Sequence, residues 1–391
     1  MSTIVTGPLT SVRIRGFRTA HDVLLELGPV TALVGEAGSG KSNLLVAIFK
    51  LLAGHAPPLE PADATAGGRG TIRIEAALAH GERVTLETAA SGTEGDKRAG
   101  RPPHTLFLPA SERGDSLVAN GGAGDVVASA LAQSPSPALA IIAAVEAWLA
   151  RKTKGMVLMI EEPELFLRPH AQRALYRLLR ELASHGNQVL YSTHAATFLN
   201  VARLEELALV SRDGAGATRV RRPRPLPEAE SFRALSEFDA ERSELLLGRA
   251  AVLVEGRTEK LVLPFLFSAL GYDADTEGIS IVECGGKPNI PIIAEVCNLA
   301  GIPYLVVHDR DAAPGHRPIA SERAVNEAID RIAGSRRTIE LAPDFEAVAH
   351  LHGHRHKPER AWHWFTFPVT PEIPAELVAV VERAVALARA V

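Results

Sequence analysis

The sequence predicts two α/β domains in tandem, each built on a mostly parallel sheet. Three observations carry that reading. Val30–Leu45, VTALVGEAGSGKSNLL, reads as a buried strand, a glycine-rich loop and the opening of a helix. Residues 251–308 alternate apolar runs of strand length with runs of helical length, the order that builds parallel sheets. Between them Arg221–Pro227, RRPRPLP, is basic and proline-rich and favours extended chain. The expected division is residues 1–225, a linker over 226–248, and 249–391. A chain of 391 residues exceeds what one core normally organises.

Composition narrows the classes. With 46% hydrophobic and 23% charged residues the chain is globular. A net charge of −4 excludes a uniformly basic nucleic-acid coat, though not a local basic groove. The two cysteines, Cys284 and Cys297, offer no disulfide framework and suit a reducing cytoplasm as small buried hydrophobes. The opening MSTIVTGPLT has neither the basic nor the apolar region of a signal peptide. No apolar run reaches the roughly 18 residues of a membrane span. The expected location is cytoplasmic, with no membrane contact.

In chain order, Leu9–Arg15 and Val23–Leu27 alternate apolar and polar residues and read as strands feeding Val30–Val34. Gly54–Gly70 is a loop by composition. Thr71–Leu78 and Arg83–Glu87 flank His80-Gly81-Glu82 as a hairpin. Ala89–Pro103 reads as a loop, Thr105–Leu108 as a short strand and Ala138–Ala150 as a helix. Met156–Ile160 is continuously apolar, as in a strand covered on both faces. His170–Leu182 is amphipathic, Gln188–Ser192 is another buried strand, and Leu207–Ser211 with Thr218–Arg222 forms a second hairpin. In the second half the expected order is strand 251–254, helix 258–270, strand 279–283, helix 291–300 and strand 304–308. A closing amphipathic helix spans 375–391 with Leu377, Val381, Val385 and Ala388 inward.

Gly35, Gly40, Lys41 and Ser42 fit the phosphate-loop spacing G-x-x-x-x-G-K-[ST]. Glycines let the backbone wrap closely round phosphate oxygens, and the helix beginning near Lys41 aims its positive end at the same anion. Lys41 reaches the β/γ-phosphates and Ser42 takes one position on Mg²⁺. Gly38 and Asn43 complete the nucleotide-binding set. At the end of the strand 156–160, Glu161 is assigned to the Mg²⁺ shell and Glu162 to polarising the attacking water. The competing reading of these acids is a helix N-cap with Pro163 as the first helical residue. His194 ends the next strand and is the candidate contact to the γ-phosphate.

IRGFR, GEAGSGKSN, IEEPELFLRP and YSTHA together resemble ABC-type ATPases of the SMC and OLD (overcoming lysogenization defect) kind. In those proteins two ATPase domains enclose ATP between the phosphate loop of one and a glycine-rich signature of the other. Asn120-Gly121-Gly122-Ala123-Gly124 is the match to that signature, with Gly121 and Gly122 as nucleotide contacts and Asn120 in place of the usual serine. The resemblance implies that His194 is the switch histidine. It also implies a homodimer through the ATPase domains. The span between Ser42 and Met156 has no room for the helical dimerisation insert of larger OLD proteins.

In the second half Glu255 ends a strand and Glu259 follows on a helix, while Asp309 and Asp311 end a later strand. Parallel strands present their carboxyl ends on one edge, so the four acids converge and suit hard divalent cations such as Mg²⁺ or Mn²⁺. Two such ions about 4 Å apart are the means of phosphodiester hydrolysis in two-metal sites. E-G-x-x-E followed by D-x-D, with Glu283-Cys284-Gly285-Gly286-Lys287 as the glycine turn between them, resembles the Toprim domain of topoisomerases, primases and OLD nucleases. That resemblance implies Glu346 as a second-metal ligand and Lys357 as the lysine that stabilises the scissile phosphate. It implies a C-terminal Toprim domain with a Rossmann-like parallel sheet behind an N-terminal ABC-type P-loop ATPase domain.

The expected function is an ATP-binding and ATP-hydrolysing, metal-dependent DNA endonuclease, in anti-phage defence or DNA processing, with a helicase-like partner protein as an option. The alternative is an SMC-like ATP-driven DNA clamp whose Toprim domain does not cut. A topoisomerase would need a nucleophilic tyrosine, and the four here, Tyr176, Tyr191, Tyr272 and Tyr304, all fall in or beside regular elements. His350, His352, His354 and His356 alternate through a polar loop expected near the nuclease site, with a zinc site as the competing reading.

Overall fold

A computed structural model describes residues 8–53, 59–65, 71–88, 97–110, 118–119, 137–227, 240–312, 316–349 and 373–390. The chain forms two compact units, Met1–Leu199 with Glu205–Pro223, and Asn200–Leu204 with Arg224–Val391.

The first unit holds twelve described strands: β1 (Leu9–Phe17), β2 (Ala20–Glu26), β3 (Val30–Val34), β4 (Ile72–Leu78), β5 (Arg83–Thr88), β6 (Lys97–Ala99), β7 (His104–Leu108), β8 (Val118–Ala119), β9 (Met156–Glu161), β10 (Gln188–Thr193), β11 (Leu207–Arg212) and β12 (Thr218–Arg221). Its helices are α1 (Lys41–Leu52), α2 (Pro137–Ala150) and α3 (Pro169–Ser184). An antiparallel sheet runs β2-β1-β4-β5-β6. A second sheet runs β12-β11-β3-β10-β9-β7-β8, parallel from β11 to β7. Helix α1 packs against both sheets, and its Leu44, Leu45, Ile48 and Leu52 join one core with Ile14, Leu25 and Ile74. In β9, Val157 and Met159 enter that core, while Leu158 and Ile160 are equally buried on the opposite face. Burial on both faces explains the unbroken apolar run.

The second unit is a four-stranded parallel sheet, ordered β14-β13-β15-β16, from β13 (Ala250–Val254), β14 (Ile279–Glu283), β15 (Tyr304–Asp309) and β16 (Thr338–Leu341). Helices α4 (Arg257–Ala269), α5 (Ile290–Ala300), α6 (Ala320–Ala333) and α7 (Ala375–Arg389) accompany it. Val252, Val254, Leu305 and Val307 pack with α4 and α7 in one core. Helix α7 buries Leu377, Val381, Val385 and Ala388, together with Val380 and Ala384.

Several elements differ from the sequence expectation. Lys97–Ala99, placed in a loop, pairs with β5. Helix α6, strand β16 and the helical turn Phe345–Val348 were not expected. The later part of the supposed linker, Glu244–Leu246, is a 3₁₀ turn that buries Leu245 and Leu246. Apolar content in so short a segment is too little to reveal packing that is set by distant partners.

Candidate functional site

Strands β3, β10 and β9 lie side by side in parallel, with Thr193 level with Val34 and Ser192 level with Glu161. Their carboxyl ends therefore bring the loop 35–40, His194 and the acids of 161–164 to one edge. Helix α1 starts at Lys41 behind Gly40, whose φ is 111°. No side chain caps that helix and no acid lies in its first turn, so its N-terminal N–H groups are available to an anion. The loop sits tightly on the sheet: a Cβ at Gly35 would overlap the carbonyl oxygen of Val210, and one at Gly40 would overlap Thr218 Oγ1.

Lys41 is only 6% exposed. Its Nζ donates to the carbonyl oxygens of Gly35 and Glu36, each at 2.8 Å. Burial pulls the ammonium below the usual lysine range, against the opposing pull of Glu162 and Glu164. Ser42 is exposed beside it. Asn43 donates to Thr19 Oγ1 at 2.9 Å and accepts from Arg18 at 3.2 Å, which ties α1 to the β1–β2 turn.

Glu161 ends β9, is 8% exposed and accepts from the Ala110 N–H at 3.0 Å. Glu162 follows with φ 46° and its own N–H bonded to Ser192 O. The His194 Nε2 stands 3.8 Å from its carboxylate. Helix α3 begins at Pro169, not Pro163, so the two acids cap no helix. Glu164, given no role from sequence, accepts from Thr193 Oγ1 at 3.0 Å and the His194 N–H at 2.7 Å. It thereby positions the histidine. Glu164 Oε2, Ser39 Oγ and Ser192 Oγ are buried without a hydrogen-bond partner among the described residues. Such orphaned polar atoms around a glycine cradle suit a polyphosphate and its ion. Gly121 and Gly122 lie outside the described residues, as do Asn120, Lys357 and the histidines 350–356.

In the second unit Glu255 follows β13 and Asp309 ends β15, its neighbour. A Glu255 oxygen accepts from the Asp309 N–H at 2.7 Å, and an Asp309 oxygen accepts from the Phe345 N–H at 2.8 Å. Burial is the main cause that pushes Glu255 up to about 7 and Asp309 up to about 8; Glu255 and Glu259 add to the rise at Asp309. Glu346 lies near enough to contribute to it. Glu259 is 8% exposed and its carboxylate caps α4 at the Gly256 N–H, 3.2 Å away. Asp311 has φ 57° and is paired with Lys287. The oxygen donors are of the right kind for a hard divalent cation. Among the described residues no three acidic, histidine or cysteine side chains are gathered as a ready metal cage, although Glu255, Glu259 and Glu346 all lie near enough to raise Asp309.

Lys287, the last residue of the glycine turn 283–287 and given no role from sequence, sits in this acidic edge at 5% exposure. Cys284 is buried and unpaired, with its thiol pushed up to about 12 by that burial; Cys297 is likewise buried and unpaired. Tyr176, Tyr191 and Tyr304 are at most 3% exposed, which leaves none of the three accessible as a nucleophile. No described helix is long and apolar enough to cross a membrane.

Two family models match the chain. Residues 246–311 match "Overcoming lysogenization defect protein-like, TOPRIM domain", and residues 110–200 match "AAA domain, putative AbiEii toxin, Type IV TA system". The OLD nuclease of Thermus scotoductus is 34% identical over 227 residues, 53% of this chain and 43% of that protein. The Old nuclease of Escherichia phage P2 is 30% identical over 166 residues, 41% of this chain and 28% of that protein. The SMC head domain from Thermotoga maritima is 17% identical with a TM-score of 0.38, covering 56% of this chain and 99% of that one. The chain thus spans less than half the length of the two OLD nucleases.

Fold and site define a P-loop ATPase domain followed by a TOPRIM domain. The chain is similar to OLD proteins through its TOPRIM match and these two nucleases, the resemblance that the motifs implied. Those two domain types imply use of a nucleotide and of a divalent metal in general.

Proposed function

We propose that the protein is an ATP-hydrolysing DNA endonuclease, cutting one or both strands with Mg²⁺ or Mn²⁺. The observation that carries it is the meeting of Glu255 and Asp309 at the carboxyl edge of a parallel sheet within the OLD-like TOPRIM match. Supporting it, the relatives from Thermus scotoductus and Escherichia phage P2 are named as nucleases.

In the first unit Lys41 and the N-terminus of α1 bind phosphates of ATP, and Ser42 with Glu161 holds its ion. Glu162 orients the attacking water, and His194 beside it answers to the γ-phosphate. Gly121 and Gly122 of a second copy complete the pocket, which makes the homodimer ATP-dependent. In the second unit Glu255, Glu259, Asp309, Asp311 and Glu346 supply the acidic donors, and Lys357 meets the scissile phosphate. A bound divalent ion would supply charge neutralisation there and a more acidic water. Phage defence, the cytoplasm and a helicase-like partner complete the reading.

A plasmid-nicking assay with Mg²⁺, Mn²⁺ or Ca²⁺, with and without ATP, tests it. Cleavage by the unmodified protein, lost in Asp309→Ala and Glu255→Ala while ATPase activity persists, is the expected result. If both variants cut like the unmodified protein, the site is elsewhere. If nothing cuts under any condition, the non-cleaving DNA clamp is the better reading.

A further inference from the structure

Burying an ammonium is costly unless it is paired, so Lys287 needs an explanation. It lies on the turn Lys287–Asn289, directly after Gly285-Gly286. The turn is anchored to the edge by the Gly286 N–H, which donates to the Glu255 carbonyl at 2.8 Å. From there Lys287 Nζ donates to the Asp309 backbone oxygen at 2.5 Å and to the Asp311 carboxylate. A third oxygen group, the Glu322 carboxylate in the first turn of α6, stands 3.8 Å from the same nitrogen.

An ammonium and a hard divalent ion want the same partners, namely carboxylate and carbonyl oxygens. We propose that Lys287 is a resident cation of the acidic edge: it holds Asp311 while no metal is bound, and a divalent ion that takes Asp311 displaces it towards Glu322. The inference rests on the reading of this edge as a metal site. Glu322 gives the released ammonium a counter-charge, so displacement does not strand a buried positive group. Lys287 is a positioning residue here, acting through Asp311.

Calorimetric titration of the nucleotide-free protein with Mn²⁺ tests this, with Asp309→Ala as the control that assigns the heat to the edge. Lys287→Met is expected to bind at least about tenfold more tightly, since each factor of ten needs only about 1.4 kcal/mol. Lys287→Arg, which keeps the charge, is expected not to gain. Equal or weaker binding by Lys287→Met overturns the proposal. A second measurement needs no variant: acetylation of Lys287, followed by mass spectrometry, should be slow in EDTA and faster at saturating Mn²⁺. Unchanged protection overturns it equally. If neither the unmodified protein nor Lys287→Met binds Mn²⁺ at this edge, the metal-site reading falls and takes the inference with it.

Discussion

The Asp309 N–H donates to the Glu255 carboxylate at 2.7 Å, across 54 residues of sequence. This bond joins the ends of two adjacent parallel strands and holds two acids in a buried place that favours their protonated forms. In the folded state Glu255 rises from 4.5 to about 7 and Asp309 from 3.8 to about 8. Between the unfolded and folded values the native state binds more protons than the unfolded chain, so the pair's contribution to stability is lost as pH rises through that window. In metal-free protein, Asp309→Asn should therefore gain melting temperature relative to the unmodified chain as pH rises. A difference in Tm that stays constant from acid to mildly alkaline pH contradicts this.

Lys41 is folded back on the carbonyls of Gly35 and Glu36, where it waits beside the phosphate cradle. Lys41→Ala should lower ATP turnover by roughly 10²–10³-fold, the usual effect of removing one preorganised charge donor. Circular dichroism should show an intact fold. Undiminished turnover in that variant would end the assignment.

Glu162 is held with φ 46° and lies 3.8 Å from His194 Nε2. Glu162→Gln should bind ATP but hydrolyse it slowly, because an amide polarises water less well than a carboxylate. Trapped ATP should then convert the protein to a dimer, read by light scattering. A monomer with ATP bound contradicts the two-subunit pocket.

At Gly35 a Cβ would overlap Val210 O, whereas at Gly38 it would meet nothing within 4 Å. Gly35→Ala should cost about 1–3 kcal/mol by overpacking. Gly38→Ala carries only the strain of its φ of 76°, on the order of 1 kcal/mol. Thermal unfolding should rank the two in that order.

How legible each part was depended on the range of the forces involved. Met156–Ile160 and Ala251–Val254 were readable because strands buried on both faces are continuously apolar. Lys97–Ala99 was not, since three polar-leaning residues become a strand only when β5 offers a ladder. Glu164 was passed over because an acid after Glu161 and Glu162 looks like one more surface charge, until the fold brings Thr193 and the His194 N–H to it.

By itself the sequence determined the two α/β domains, the phosphate loop at Gly35–Ser42 and the acids at the strand ends. Those depend on local geometry: apolar periodicity, glycine spacing and the rule that parallel strands end on one edge. Only the tertiary structure decided that Lys287 is buried against Asp311, and that Glu255 and Asp309 share a bond. Burial and pairing are sums over residues far apart in the chain, and a lysine beside two glycines carries no local mark of them.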